Sequence, residues 1–239
     1  MPLYRDEAVV LRTFDLGEAD RIVVLLTKNH GKVRAVAKGV RRLKSRFGGR
    51  LEPFMRVDVL LAKGKSLDVI SQASSIAAYA GTICSDYNLY EYASVMLETV
   101  DALVSGEFQD SSSQYTLLIS ALSSLCQHKH SPKAIGMSYA MRSLCLAGWS
   151  PRLVSCVVCG REDGLQFFAP SAGGVMCNTD HTSGSYICDE NTRNLLIALS
   201  NGDWKVLDST CVDEKTVMCV ERWCEYYLER SLRSFSVLS

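Results

Sequence analysis

Over the first eighty positions the apolar residues fall in short blocks broken by turn-forming residues. Residues 8–14 (AVVLRTF) end at Asp15-Leu16-Gly17, and residues 21–27 (RIVVLLT) end at Asn29-His30-Gly31. Residues 32–38 (KVRAVAK) alternate strictly. Successive strand side chains point to opposite faces, so Val33, Ala35 and Ala37 belong to an apolar face while Lys32, Arg34 and Lys38 project from the other. Two more blocks, residues 55–62 and 67–76, are separated by Lys63-Gly64-Lys65-Ser66. Five short strands at hairpin-like spacing predict a small closed or partly closed barrel, which hides the strand edges.

From Cys84 onward the apolar interval changes to about 3.6 residues. Ser85 or Asp86 is placed to cap a helix carrying Leu89, Tyr92, Ala93, Met96, Leu97, Val100 and Leu103, with Ser105-Gly106 ending it. A second helix is predicted over residues 113–127, a third from Pro132 to Gly148, and a last one after Asp213. Aromatic and methionine positions at these intervals are expected in the core. His128 and His130, beside Lys129, are expected in a solvated linker.

Composition narrows the class. Of 239 residues, 47% are hydrophobic and 22% charged, as in soluble globular proteins. No apolar stretch approaches the roughly 18 residues of a membrane span. Arg5, Asp6 and Glu7 stand where a secretory leader would be apolar, so a cytoplasmic protein is expected. The net charge of zero conceals an asymmetry: residues 1–80 hold 15 Lys+Arg against 8 Asp+Glu, a net of +7, and the remainder carries −7. From Lys28 to Arg50 there are nine basic residues and no acidic one. Phosphates offset such a density, and each neutralised phosphate releases counter-ions. Lys32, Arg34, Lys38, Arg41, Arg42, Lys44, Arg46 and Arg50 are the candidate phosphate contacts, and Phe47 among them is a candidate for stacking on an unpaired base.

Most of the ten cysteines, Cys84, Cys126, Cys145, Cys188, Cys211, Cys219 and Cys224, lie in or near apolar runs and are expected to act as small buried hydrophobes. Cys156-Val-Val-Cys159-Gly160 and Cys177-Asn-Thr-Asp180-His181 differ, since a C-x-x-C knuckle sets two thiolates on one metal and a second knuckle supplies the rest of a tetrahedral zinc site. Here Asp180 stands where the fourth cysteine belongs, with His181 as the alternative fourth ligand. Gly160 and Gly173-Gly174 are expected to permit the tight turns. Neither H-x-E nor H-E-x-x-H occurs, so a bound zinc is expected to be structural. Gly64-Lys65-Ser66 lacks the upstream glycine of a phosphate-binding loop, because position 59 is valine.

Three stretches resemble the bacterial DNA-repair and recombination mediator family RecO: YRDEAVVLRT at residues 4–13, LGEADRIVVLLTKNHGKVRAVAKGVRRLKSRFGGRLEPF at 16–54, and CVVCG…FFAPSAGGVMC at 156–177. The resemblance implies an α+β protein, with an N-terminal OB-fold-like five-stranded β-barrel (residues 1–80) followed by an all-helical domain (81–239). That domain would carry a zinc-finger-like insert at about 153–188. It further implies a non-enzymatic role in binding single- and double-stranded DNA, annealing complementary strands and helping load recombinase onto DNA coated by single-strand-binding protein. The implied partners are RecR, single-strand-binding protein and, indirectly, RecA, with no membrane. In the family the four knuckle positions are commonly cysteines, and Asp180 departs from that pattern. Two other readings stay open: a metal-dependent nucleic-acid enzyme using acids such as Asp180, Asp189 and Glu190, and a scaffold whose barrel binds protein.

Overall fold

The structure is a computed structural model describing residues 2–104 and 111–235. The expected helix stop at Ser105-Gly106 lies outside the described residues. Two compact units divide between Gln127 and His128. The expected change at residue 80 is where strand gives way to helix, and the helices up to Gln127 pack with the barrel.

Five strands build the barrel: β1 (Leu3–Leu16), β2 (Asp20–Thr27), β3 (Lys32–Ala37), β4 (Met55–Ala62) and β5 (Asp68–Ala78). Their order is β1-β2-β3-β5-β4, closed by antiparallel pairing of β4 with β1, and the β3–β5 pairing is parallel. The strand pattern predicts such a barrel, and the OB-fold-like arrangement is the one the resemblance implies. Val33, Ala35 and Ala37 point into the core with Val10, Val23 and Leu25. One end of the barrel is plugged by Phe47 and Leu51, at a single 3-10 turn over Gly48–Leu51. Each buried side chain of that size contributes about 1.5–3 kcal/mol.

A bulge in β1 decides what the outer face carries. Val10 pairs with Leu25, but Arg12 pairs with Val24, so Leu11 is an extra residue. Because one added residue exchanges the two faces of a strand, Arg12 turns outward instead of into the core.

Three helices complete the first unit: α1 (Tyr79–Ile83), α2 (Tyr87–Leu103) and α3 (Ser112–Cys126). Asp86 caps α2, accepting from the backbone N–H groups of Asn88 and Leu89. Helices α2 and α3 pack on β1, and α3 also on β2, which buries the outward Val24 and Leu26. Two polar joints fix them. The Tyr115 hydroxyl donates to Glu7 Oε2 at 3.0 Å and accepts from Arg56 Nε at 3.0 Å, while Arg56 Nη2 lies 2.6 Å from the same carboxylate. Burial pushes that hydroxyl up to about 12. At the other joint, buried Asp101 near the end of α2 lies 3.1 Å from Arg12 Nη2 and 3.3 Å from Lys32 Nζ. The Lys32 ammonium is aimed at the Asp101 backbone carbonyl, 2.6 Å away, so Oδ1 feels its charge without an aligned hydrogen bond.

At the β2–β3 turn, buried Asp6 accepts from Asn29 N (3.0 Å) and Asn29 Nδ2 (2.8 Å) and faces His30 Nδ1 at 2.6 Å. A carboxylate with this many partners fixes the turn that sets the β2–β3 register.

The second unit contains α4 (Pro132–Leu146), β6 (Leu165–Ala169), β7 (Gly174–Cys177), β8 (Tyr186–Ile187), α5 (Glu190–Asn201), α6 (Trp204–Ser209) and α7 (Glu214–Leu228). Helix α4 is buried on nearly every side and packs against α5 and α7. Asp189, Asp203 and Asp213 cap α5, α6 and α7. Strands β7, β6 and β8 form a three-stranded sheet inside the cysteine-bearing insert, where the sequence pattern marks no strand.

Several expectations are corrected here. Gly173, at φ +87°, makes the expected tight turn, but that turn leads into β7 and does not shape the second knuckle itself, and Gly174 forms a bridge with Arg152. A Cβ at Gly174 would meet the Arg152 carbonyl at 2.1 Å, so the close approach itself demands glycine. His130 is not simply solvated: its ring stacks on Trp204 at 4.1 Å and its Nδ1 lies 2.8 Å from Asp208. Cys84 and Cys211 are exposed and Cys126 and Cys145 half-buried, whereas Cys188, Cys219 and Cys224 are buried as expected.

Candidate nucleic-acid interface and metal cluster

The registers place outward side chains in rows across β1, β2 and β3. Phe14, Ile22 and Val36 form one such row, and Arg12, Val24 and Arg34 the next. Phe14 is 43% exposed, and Ile22 and Val36 are partly exposed, so the first row is an open apolar strip. Cations border it: the Arg12 guanidinium lies 5.0 Å from the Phe14 ring, while Arg34 and Lys38 flank Val36 along the chain. Arg12 and Phe14 escape the sequence pattern because only the Leu11 bulge turns both outward.

The basic segment leaves β3 at the same end. Gly39 N donates to Asp20 Oδ1 at 2.7 Å and Arg41 N to the Ala19 carbonyl at 3.0 Å, which ties the segment to the β1–β2 turn. Farther on, Ser45 N donates to the Arg42 carbonyl at 2.9 Å and Ser45 Oγ accepts from Phe47 N at 3.2 Å. The loop is therefore pinned at both ends and is a shaped surface.

Its residues divide into two groups. Lys32 is ion-paired with Asp101 and only 15% of its side chain is exposed; Arg41 pairs with Asp15 at 3.3 Å and donates to the Gly17 carbonyl. Arg34, Lys38, Arg42, Lys44, Arg46 and Arg50 are exposed and make no ion pair with a described carboxylate. Arg50 donates instead to the Arg46 carbonyl, and the Arg46 guanidinium lies 4.8 Å from the Phe47 ring centre. Phe47 itself is 1% exposed. The expectation that it stacks on a base is corrected, because its ring is spent inside the barrel end and under Arg46.

In the second unit, Cys156, Cys159, Cys177 and Asp180 gather with all four donor atoms within 4.8 Å of one another. Gly160, at φ +78°, closes the first knuckle, and its N–H donates to the Cys156 carbonyl at 3.0 Å. A tetrahedral zinc, with Zn–S of ~2.3 Å and Zn–O of ~2.1 Å, spaces its sulfurs ~3.8 Å apart and its sulfur–oxygen pairs ~3.6 Å apart. Cys159 Sγ and Cys177 Sγ are 3.8 Å apart, Cys156 Sγ and Asp180 Oδ2 3.6 Å, and Cys177 Sγ and Asp180 Oδ2 3.1 Å. The donor set and spacing fit such an ion.

Burial works against the Cys156 thiolate, but N–H groups of Cys159, Cys177 and Val158 outweigh it and bring that thiol down to about 7. The hydrogen bond with Asp180, ahead of other effects, pushes Cys159 up to about 11. Those bonds from Cys159 and then Cys177 hold the Asp180 carboxyl below its ordinary range. His181 is outside the cluster. Its ring stacks on Phe167 at 3.9 Å and its Nδ1 lies 2.9 Å from the Asn178 carbonyl, so Asp180 takes the fourth position. No helix among the described residues is long and apolar enough to cross a membrane.

Residues 1–79 match the family model described as recombination protein O N terminal, and residues 84–237 match recombination protein O C terminal. The chain is similar to a protein named DNA repair protein RecO in Bifidobacterium adolescentis, 56% identical with both chains covered in full. A protein of that name in Bifidobacterium longum (strain NCC 2705) is 55% identical over all of this chain and 99% of its own. In Nocardioides sp. the counterpart is 45% identical over 98% of each.

Proposed function

Since the chain belongs to the recombination protein O family and serves DNA repair and recombination, we propose that its barrel holds single-stranded DNA on the β1–β3 face and the basic turn. The apolar strip of Phe14, Ile22 and Val36, bordered by Arg12, Arg34 and Lys38, carries this reading. Bases offer π-faces of any sequence to Phe14, and Arg34, Lys38 and the exposed cations of the turn, which make no ion pair with a described carboxylate, meet the phosphates. Stacking and phosphate contacts carry no base sequence, so binding through them is expected to be sequence-tolerant.

Annealing follows from the same charges. A basic surface that holds two anionic strands lowers their repulsion and raises their local concentration. No covalent bond is made or broken in this action, and we read the chain as a mediator rather than an enzyme. The partners that the family resemblance implies, RecR, single-strand-binding protein and indirectly RecA, with double-stranded DNA, belong to the same proposal. The test is fluorescence anisotropy with a labelled oligothymidine across a salt series, followed by annealing of complementary oligonucleotides. Affinity that falls steeply with salt supports the reading. No binding at low salt overturns it in favour of a protein-binding scaffold.

The cysteine cluster is proposed to hold a structural zinc ion through Cys156, Cys159, Cys177 and Asp180, bracing the insert between α4 and α5. Bound zinc would supply a cross-link between the two knuckles. Protein purified without chelator is expected to carry about one zinc per chain by elemental analysis. Asp180→Ala and Cys177→Ser should lower that content sharply, and His181→Ala should not. Equal zinc content in all of these proteins would remove the assignment.

A further inference from the structure

The basic segment carries one apolar side chain with no place in a phosphate-binding surface. Leu43 is 108% exposed, more than any other large hydrophobic residue among those described. It lies at the centre of the tight turn closed by Ser45 N on the Arg42 carbonyl. Arg42 and Lys44 on either side of it are exposed and free of ion pairs with described carboxylates. The turn is held by the Ser45 hydroxyl on Phe47 N and by Phe47 inside the barrel end, so Leu43 is presented on a fixed support. An exposed leucine on a surface of mixed charge needs no explanation. One held between two exposed cations that make no ion pair with a described carboxylate, whose natural counter-charges are phosphates, stands where bases joined to those phosphates would be.

We propose that Leu43 is a wedge that enters between neighbouring bases of a DNA strand while Arg42 and Lys44 hold the flanking phosphates. This rests on the reading of the basic turn as a DNA-binding surface. Apolar wedges separate stacked bases at an energetic cost that is lowest where the strand is already unpaired. Leu43 therefore gives the surface a preference for single over double strands, which phosphate contacts alone do not provide.

Three full-length proteins test this: the wild type, Leu43→Ser and Leu43→Met. The probes are a labelled single-stranded oligonucleotide, its duplex, and a single strand with 2-aminopurine between adenines. Leu43→Ser is expected to lose about tenfold in single-strand affinity and little in duplex affinity. Its dependence on salt should match the wild type, because the phosphate contacts remain. Wild type and Leu43→Met should raise 2-aminopurine emission on binding, as unstacking does, and Leu43→Ser should not. If Leu43→Ser keeps both the wild-type strand preference and the emission rise, the wedge is wrong although the DNA-binding surface stands. If the wild type binds no probe at low salt, the surface and the wedge fail together.

Discussion

Changing Arg34, Arg42, Lys44 and Arg46 together to alanine is expected to weaken single-stranded DNA binding about a hundredfold near physiological salt. Each phosphate left without its cation removes about 0.7 from the slope of log affinity against log salt, so the slope should shrink by as much as about 3. These four cations make no ion pair with a described carboxylate, so the fold depends little on their charges. Arg41→Ala serves as the internal comparison. Its guanidinium is already engaged by Asp15 and the Gly17 carbonyl, so its removal should cost about threefold or less. Anisotropy titrations of both proteins across a salt series decide the matter. If the quadruple variant keeps wild-type affinity and slope, the basic turn is only a solvated loop.

Asp101→Ala is expected to destabilise the first unit by about 2–4 kcal/mol, a little under the range for removing one partner of a fully buried ion pair. The two cations beside Asp101 contribute unequally. Half of the Arg12 side chain is exposed, so it regains water and little changes there. Lys32 has 15% of its side chain exposed and would keep only the backbone carbonyl of position 101 as a partner. The melting temperature should fall by about 10 °C for a unit of this size. Combining Asp101→Leu with Lys32→Met should recover most of it, since an apolar pair of similar volume replaces buried charges at little cost. Thermal melts of the three proteins provide the measurement. A shift of less than about 2 °C for Asp101→Ala would show that the helix is held to the barrel by apolar packing alone.

Local regularity is readable in the chain, and long-range pairing is not. Strict alternation places β3 with its faces assigned correctly, and the block at residues 55–62 coincides with β4. Asp86 is readable as a cap because a side-chain acceptor ahead of a helical apolar pattern satisfies free N–H groups. The cysteine spacing similarly locates a four-donor cluster. The Leu11 bulge leaves no mark in the run AVVLRTF, yet it decides whether Arg12 and Phe14 face the core or solvent. Phe47 reads as exposed because its neighbours are charged, but a single 3-10 turn carries it into the barrel end. Lys32 reads as a phosphate contact until the fold brings Asp101, sixty-nine residues away, beside it. Helix α5 has clear end signals in Asp189 and Gly202, but its short apolar set of Leu195, Leu196 and Leu199 does not by itself mark a helix.

The closure of the barrel has a consequence for how the chain emerges from the ribosome. Strand β1 cannot gain its β4 neighbour, nor β3 its parallel partner β5, until residues 55–78 have been made. During that interval the β1–β2–β3 meander exposes two unpaired edges beside runs as apolar as RIVVLLT. Such edges pair readily with other chains. Contacts of long sequence separation also form slowly, because loop closure must precede them. Chains caught at this stage are the ones at risk of aggregating, and the eight lysines and arginines from Lys28 to Arg46 that precede β4 supply mutual repulsion over that period.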